Sequence, residues 1–261
     1  MSIFLQTILT IWHRELIRYV RDRTRILTTF IQPLMFLAIF GVGLQSAFAT
    51  QNSGFDFVQF MFPGIIAMNV MGVAFFSTVS TVWDREFGFL KEILVAPVPR
   101  SAIALGKTLG ATSIASIQAL ILLALAPFLH LKIFFFQLPA LLGVMLLLAF
   151  AISGLGLLIS SRMRTTESFG LLMQVLVFPM FFLSGAFFPL TSVPSWMSVL
   201  AHINPLTYGV DGMRQILLRP TLDAAVLSRI ELYTLSTDVL FLVGFSVGMV
   251  SLAVWAFDKK S

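Results

Sequence analysis

Apolar positions along the chain gather into long blocks parted by short polar ones, and the blocks have the length of a bilayer rather than of a soluble helix. A crossing helix needs about 20 predominantly apolar residues, and six stretches meet that length: residues 26–46, 57–82, 102–128, 138–160, 168–188 and 236–257. An even number of spans places both termini on one side of the membrane. Ahead of the first block, Arg14, Arg18, Arg21 and Arg25 recur at spacings of four, three and four, opposite Ile8, Leu9, Trp12, Leu16 and Tyr19. That pattern predicts an amphipathic interfacial helix over residues 1–25. Its charges follow its apolar part, which is the reverse of a cleavable signal peptide.

Composition agrees with a polytopic, all-α membrane protein folded as one transmembrane domain over residues 1–261. Of the 261 residues 58% are hydrophobic and only 11% charged, and the mean hydropathy is +0.95, outside the usual range of a soluble domain. The absence of cysteine excludes disulfides, thiolate metal sites and cysteine nucleophiles. His13, His130 and His202 are too scattered to predict a metal centre. The net charge of +5 is read as a topology signal and not as a nucleic-acid footprint. Thirteen of the 17 lysines and arginines fall on the side that holds the termini and the loop after the second block. The positive-inside rule therefore predicts that both termini and that loop are cytoplasmic.

The predicted spans are nearly bare of charge. Asp238 stands at the start of the sixth, Glu167 before the fifth, and Lys107 near the cytoplasmic entry of the third, where a lysine is expected to snorkel to the surface. No proton relay is visible, and Asn69, Phe75, Phe76 and Gln174 are the candidate lining of a path. There is no phosphate-binding loop and no soluble stretch long enough for an ATPase domain, so any ATPase is expected to be a separate chain. Gly244 and Gly248 form a GxxxG pair that permits close helix approach. No internal repeat supports an inverted-repeat transporter.

Charge is concentrated instead in "WDREFGFLKEILVAPVPRS", residues 83–101. On a helix turning about 100° per residue, Phe87, Phe89, Leu90, Ile93 and Leu94 share one face, with Asp84, Arg85, Lys91 and Glu92 opposite and Glu86 on the apolar side. This predicts a short amphipathic helix over residues 84–95, stopped by Pro97 and Pro99. Its polar face mixes both signs, which suits a protein groove better than an anionic lipid surface. A second irregular segment, "FLSGAFFPLTSVPSWMSVLAHINPLTYGVDGMR", is broken by Gly185, Pro189, Pro194, Pro205 and Gly209. A single continuous span over residues 189–218 is therefore implausible, the span count puts that segment on the outer side, and Asp211 and Arg214, three apart, are placed to pair on one helical face.

Two spans, "DREFGFLKEILVAPVPR", four more spans and the phrase "NPLTYGVDGMR" at residues 204–214 together resemble the membrane subunit of type 2 ABC exporters, including drug-resistance and lipo-oligosaccharide or polysaccharide permeases. The resemblance covers essentially the whole chain. It implies that the stretch after the second span is a coupling helix docking an ATP-binding subunit through Asp84, Arg85, Glu86, Phe87, Leu90, Lys91, Glu92, Leu94, Pro97 and Arg100. It also implies that Gly185, Pro189, Pro194, Asn204, Pro205, Tyr208, Asp211 and Arg214 belong to the outer re-entrant cap. Two ATP-binding subunits would carry ATP and magnesium, with no cofactor on this chain, a second permease copy beside it, and the bacterial inner membrane as location. The expected role is export of an amphipathic or lipid-linked substrate, without catalysis by this chain. The rivals are a stand-alone secondary multidrug transporter, which needs an ion-coupling group, and a lipid-modifying membrane enzyme, which needs a nucleophile and base.

Overall fold

A computed structural model describes residues 2–42, 57–88, 97–129, 131, 133–220, 222–223, 226–227 and 230–258. Among the described residues there is helix and no strand. The helices are α1 (Ile3–Arg21), α2 (Arg23–Phe36, continued by a π-helical turn, Leu37–Val42), α3 (Phe57–Glu86), α4 (Arg100–Leu123), α5 (Leu138–Ser160), α6 (Thr166–Phe182), α7 (Ser195–Ile203), α8 (Pro205–Leu218) and α9 (Leu235–Asp258). Short 3-10 turns join some of them, at Ala126–Leu129, Phe135–Gln137 and Leu190–Ser192.

Four of these helices are long and apolar enough to cross a membrane: Phe57–Glu86, Arg100–Leu123, Phe135–Ser160 (α5 with its preceding turn) and Leu235–Phe257. The fifth apolar helix, Thr166–Phe182, is shorter than the predicted span at 168–188. It ends where Pro179 and then Gly185, at φ 75°, bend the chain back. The second span is longer than predicted. Asp84, Arg85 and Glu86 form the last turn of α3, and the break falls at Phe87 and Gly88, the latter at φ 80°. A helix beginning afresh at Asp84 is thus corrected; Leu90, Lys91, Glu92 and Leu94 lie outside the described residues.

Helix α3 is the strut of the bundle: 89% of its apolar window is buried inside the protein, against 28% for α9. It packs on α4, α5, α8, α6 and α2, while α5 also joins α9 and α4. In lipid, hydrophobicity no longer sorts inside from outside, so small residues mark the contacts. A side chain on Gly154 would strike Val250 of α9 at 2.8 Å, one on Gly156 would strike Thr78 of α3 at 2.8 Å, and one on Gly209 would strike Leu148 of α5 at 2.6 Å.

Helix α1 is docked on the bundle. Ile8, Ile11, Glu15 and Tyr19 form a buried stripe at helical spacing, laid against α4. Gly106 of α4 faces Ile11 Cβ, and Gly110 faces Glu15 Cβ, each 2.8 Å from where its own Cβ would stand. Outward, Ile3, Leu5, Leu9, Ile17 and Val20 are exposed. The helix is docked on α4 with apolar side chains on its outward side as well as in the contact. Such an orientation suits lipid tails, which reward apolar exposure where water penalises it.

Candidate functional site

The charges that the sequence scatters over three segments converge at one end of the bundle. Asp84, near the end of α3, accepts from Lys107 Nζ of α4 at 2.6 Å and from Arg14 Nη2 of α1 at 2.6 Å. Glu15 lies 2.9 Å from Arg14 Nη2 and 3.5 Å from Lys107 Nζ, and Lys107 also reaches Ser80 Oγ at 3.3 Å. Arg18 lies 3.9 Å from Asp84 and stacks over the Trp83 ring at 4.5 Å. The side chains of Lys107, Asp84 and Glu15 are only 2%, 6% and 6% exposed. Lys107 therefore does not snorkel. At such depth an unpaired charge costs several kcal/mol, so each of these groups depends on the others. Burial opposes the charge on Glu15, but the attraction of Lys107 and Arg14 outweighs it and holds the carboxyl below its ordinary range.

A polar seam climbs from this knot. Arg25, which starts α2 rather than ending α1, donates to Ser77 of α3 at 3.1 Å and lies over Tyr19 at 5.8 Å. Trp12 Nε1 donates to Ser113 of α4 at 3.0 Å. Gln118 of α4 donates to the hydroxyls of Tyr19 and Thr29. Asn69 of α3 donates to the Thr29 carbonyl at 3.2 Å. Arg14, Arg18 and Arg25 thus each reach α3, Arg18 while staying partly in the open, and Arg21 is exposed.

At the same end, α3 is tied to the start of α6. Glu86 accepts from the Thr166 backbone N–H at 2.9 Å and from its hydroxyl at 2.5 Å. Arg85 donates to the Met163 carbonyl at 2.5 Å. Three of the side chains read as docking groups, Asp84, Arg85 and Glu86, are therefore engaged within the chain. Phe87 beside them is 80% exposed, while Pro97 and Arg100 bracket the start of α4.

The candidates for the cap gather around α8, every residue of which is buried. Asn204 caps it, accepting from the Leu206 N–H at 3.0 Å with Pro205 in the first turn, and donates to the Met180 carbonyl of α6 at 2.6 Å. Tyr208 donates to the His202 carbonyl at 2.7 Å and stacks on Phe241 of α9, ring centroids 3.7 Å apart. Asp211 and Arg214 are not an ion pair here. Asp211 accepts from the backbone N–H groups of Leu232 and Tyr233, at 3.1 and 2.9 Å. Arg214 donates to the Gly185 carbonyl at 2.7 Å and lies over Phe60 of α3 at 3.9 Å. Gln215 bridges Asp211, at 3.2 Å, to the buried Asp238 of α9, at 2.9 Å. Pro189 and Pro194 precede the short turn at 190–192 and helix α7 respectively.

Of the candidate path residues, Phe75 is enclosed in the core and Asn69 is nearly so, whereas Phe76 and Gln174 are exposed. Sequence reading passed over Glu15 and the Gly106/Gly110 pair. Both signals were present: an acid on an otherwise apolar stripe, and a GxxxG at the entry of a span. The pair it chose, Gly244 and Gly248, meets nothing within 4 Å.

Together these features define an integral membrane protein of packed helices, with one knot of buried charge beside the break between α3 and α4 and a second buried polar cluster around α8. Residues 6–218 match the family described as ABC-2 type transporter, and the chain belongs to that family. It is 29% identical over 222 residues to the transport permease designated ycf38 of Cyanophora paradoxa, covering 81% of this chain and 74% of that one. It is 27% identical over 217 residues to the inner membrane transport permease YadH of Escherichia coli K12, covering 82% and 84%. It is 32% identical over 169 residues to that organism's protein designated multidrug ABC transporter permease YbhR, covering 64% of this chain and 46% of YbhR. Its role is that of an ABC transporter permease, and the family implies an ATP-binding partner.

Proposed function

We propose that the chain is the permease of an ATP-driven exporter in a bacterial inner membrane, working as two copies with two ATP-binding subunits. Six spans, including α2 and α6, would place both termini in the cytoplasm, with residues 84–95 as the coupling segment. ATP binding to the partner would push that segment and shift α3 and α4 between two states of the path, the bias coming from differential affinity of ATP for the two. The observation that carries this reading is the charge knot. It joins the two helices that flank residues 87–99 to α1 through Asp84, Lys107 and Arg14, so force entering there meets a stiff support. The spans carry little fixed charge, which favours an amphipathic or lipid-linked substrate.

The test is co-purification with the ATP-binding subunit after Glu92→Lys and Leu94→Asp. The reading expects loss of the complex and of stimulated ATP hydrolysis; an unchanged complex would overturn the docking assignment. A stand-alone secondary transporter has one observation in its favour, the buried Asp238, since intramembrane carboxylates serve ion coupling. Transport that survives ATP depletion and collapses with the proton gradient would establish that rival.

A further inference from the structure

Helix α6 is fastened to the bundle in an unusual way. Its inward residues Phe169 and Met173 are buried, it packs chiefly on α3 with Phe181 also meeting Phe36 of α2, and its other side exposes Leu171, Val175 and Phe178. At the outer end it is tied by Asn204 through the Met180 carbonyl. At the cytoplasmic end its first residue is held by Glu86, whose carboxylate takes both the N–H and the hydroxyl of Thr166. A helix N-terminus presents unsatisfied N–H groups and the positive end of its dipole, so an acid placed there is held by charge as well as by geometry. One residue past Phe87, Gly88 takes φ 80°, and a Cβ there would meet nothing within 4 Å. Glycine supplies the left-handed turn without strain.

We propose that Glu86 is a positioning residue: through Thr166 it makes the start of α6 follow the cytoplasmic end of α3, so that a push on the segment after Gly88 is delivered to α6. The inference rests on the reading that this segment receives the ATP-binding subunit. The two ties of α3 differ in kind. The one to α1 and α4 is buried around Lys107 and fixes those helices as a support. The one to α6 is exposed, made of two hydrogen bonds to one carboxylate with Arg85 on Met163 beside it. It acts on a helix that, among the described residues, packs chiefly on α3.

Thr166→Pro tests this directly. Thr166 is the first residue of α6, and Thr165 before it is extended, at φ −126° and ψ 148°. Proline is tolerated at that position and after such a residue, yet it removes both donors to Glu86. Thr166→Ser keeps both. The chain lacks cysteine, so paired spin labels can be set at Leu146 of α5 with Gly72 of α3, and at Leu146 with Leu171 of α6. Distances are measured with the ATP-binding subunit bound, before and after ATP with vanadate. In the Ser variant both pairs should shift. In the Pro variant the α3 pair should shift while the equilibrium constant between the shifted and unshifted α6 distances falls about fivefold or more, the lower end of ordinary coupling strengths. Equal shifts of both pairs in the Pro variant would overturn the proposal. Loss of the ATP-binding subunit from the Pro variant would overturn it too, by making the α5–α6 loop part of the docking surface. If no subunit binds even the unaltered chain, the functional reading itself falls.

Discussion

Replacing Lys107 with methionine would leave Asp84 and Glu15 facing each other in buried space with only Arg14 and the half-exposed Arg18 to compensate. Breaking one member out of a buried ionic set typically costs about 3–5 kcal/mol. Lys107→Met is therefore expected to lower the melting temperature in detergent sharply, and adding Asp84→Asn to restore part of the loss. The knot also fixes the sign of a pH effect. The carboxyl of Glu15 is held below its ordinary value of 4.5 in the folded protein. Its contribution is present above that value and is lost as pH falls through the lowered one. A thermal-stability series into the acid range should show this decline, and Glu15→Gln should flatten it. A decline of equal slope in Glu15→Gln would remove Glu15 as its source.

Among elements, the two GxxxG pairs behave oppositely. In α4, Gly106 and Gly110 admit α1 to within contact, and a larger residue meets Ile11 and Glu15. Overpacking of this kind costs about 1–3 kcal/mol, so Gly106→Leu should loosen α1 and open Met1 to Arg21 to protease in proteoliposomes. In α9, Gly244→Ala and Gly248→Ala meet open space and should leave the stability of the single chain unchanged. The amphipathic pattern of α1 was legible from its sequence, but its orientation was not. Periodicity defines two faces of a helix; whether the polar one meets water or a neighbouring helix depends on Asp84, 70 residues away from Arg14.

At the scale of the whole molecule, an even span number and the lysine and arginine bias predict that Phe87 lies inside and Trp196, 62% exposed in α7, lies outside. A membrane-impermeant maleimide added to intact cells should label Trp196→Cys and spare Phe87→Cys, and the reverse pattern would invert the topology. The sequence by itself determined that this is a helical membrane protein, poor in charge within its apolar helices, with a charged break after residue 82 and a proline-broken segment over residues 189–205. Those properties follow from composition and local pattern, because bilayer thickness and proline geometry act on contiguous residues. Only the tertiary structure decided which charges meet. Lys107 is turned inward to Asp84 and Glu15, Asp211 and Arg214 take separate partners, and Glu86 caps α6 instead of standing free. Each of these pairings joins residues distant in sequence, and its energy comes from desolvation at a depth that no local window of sequence can specify.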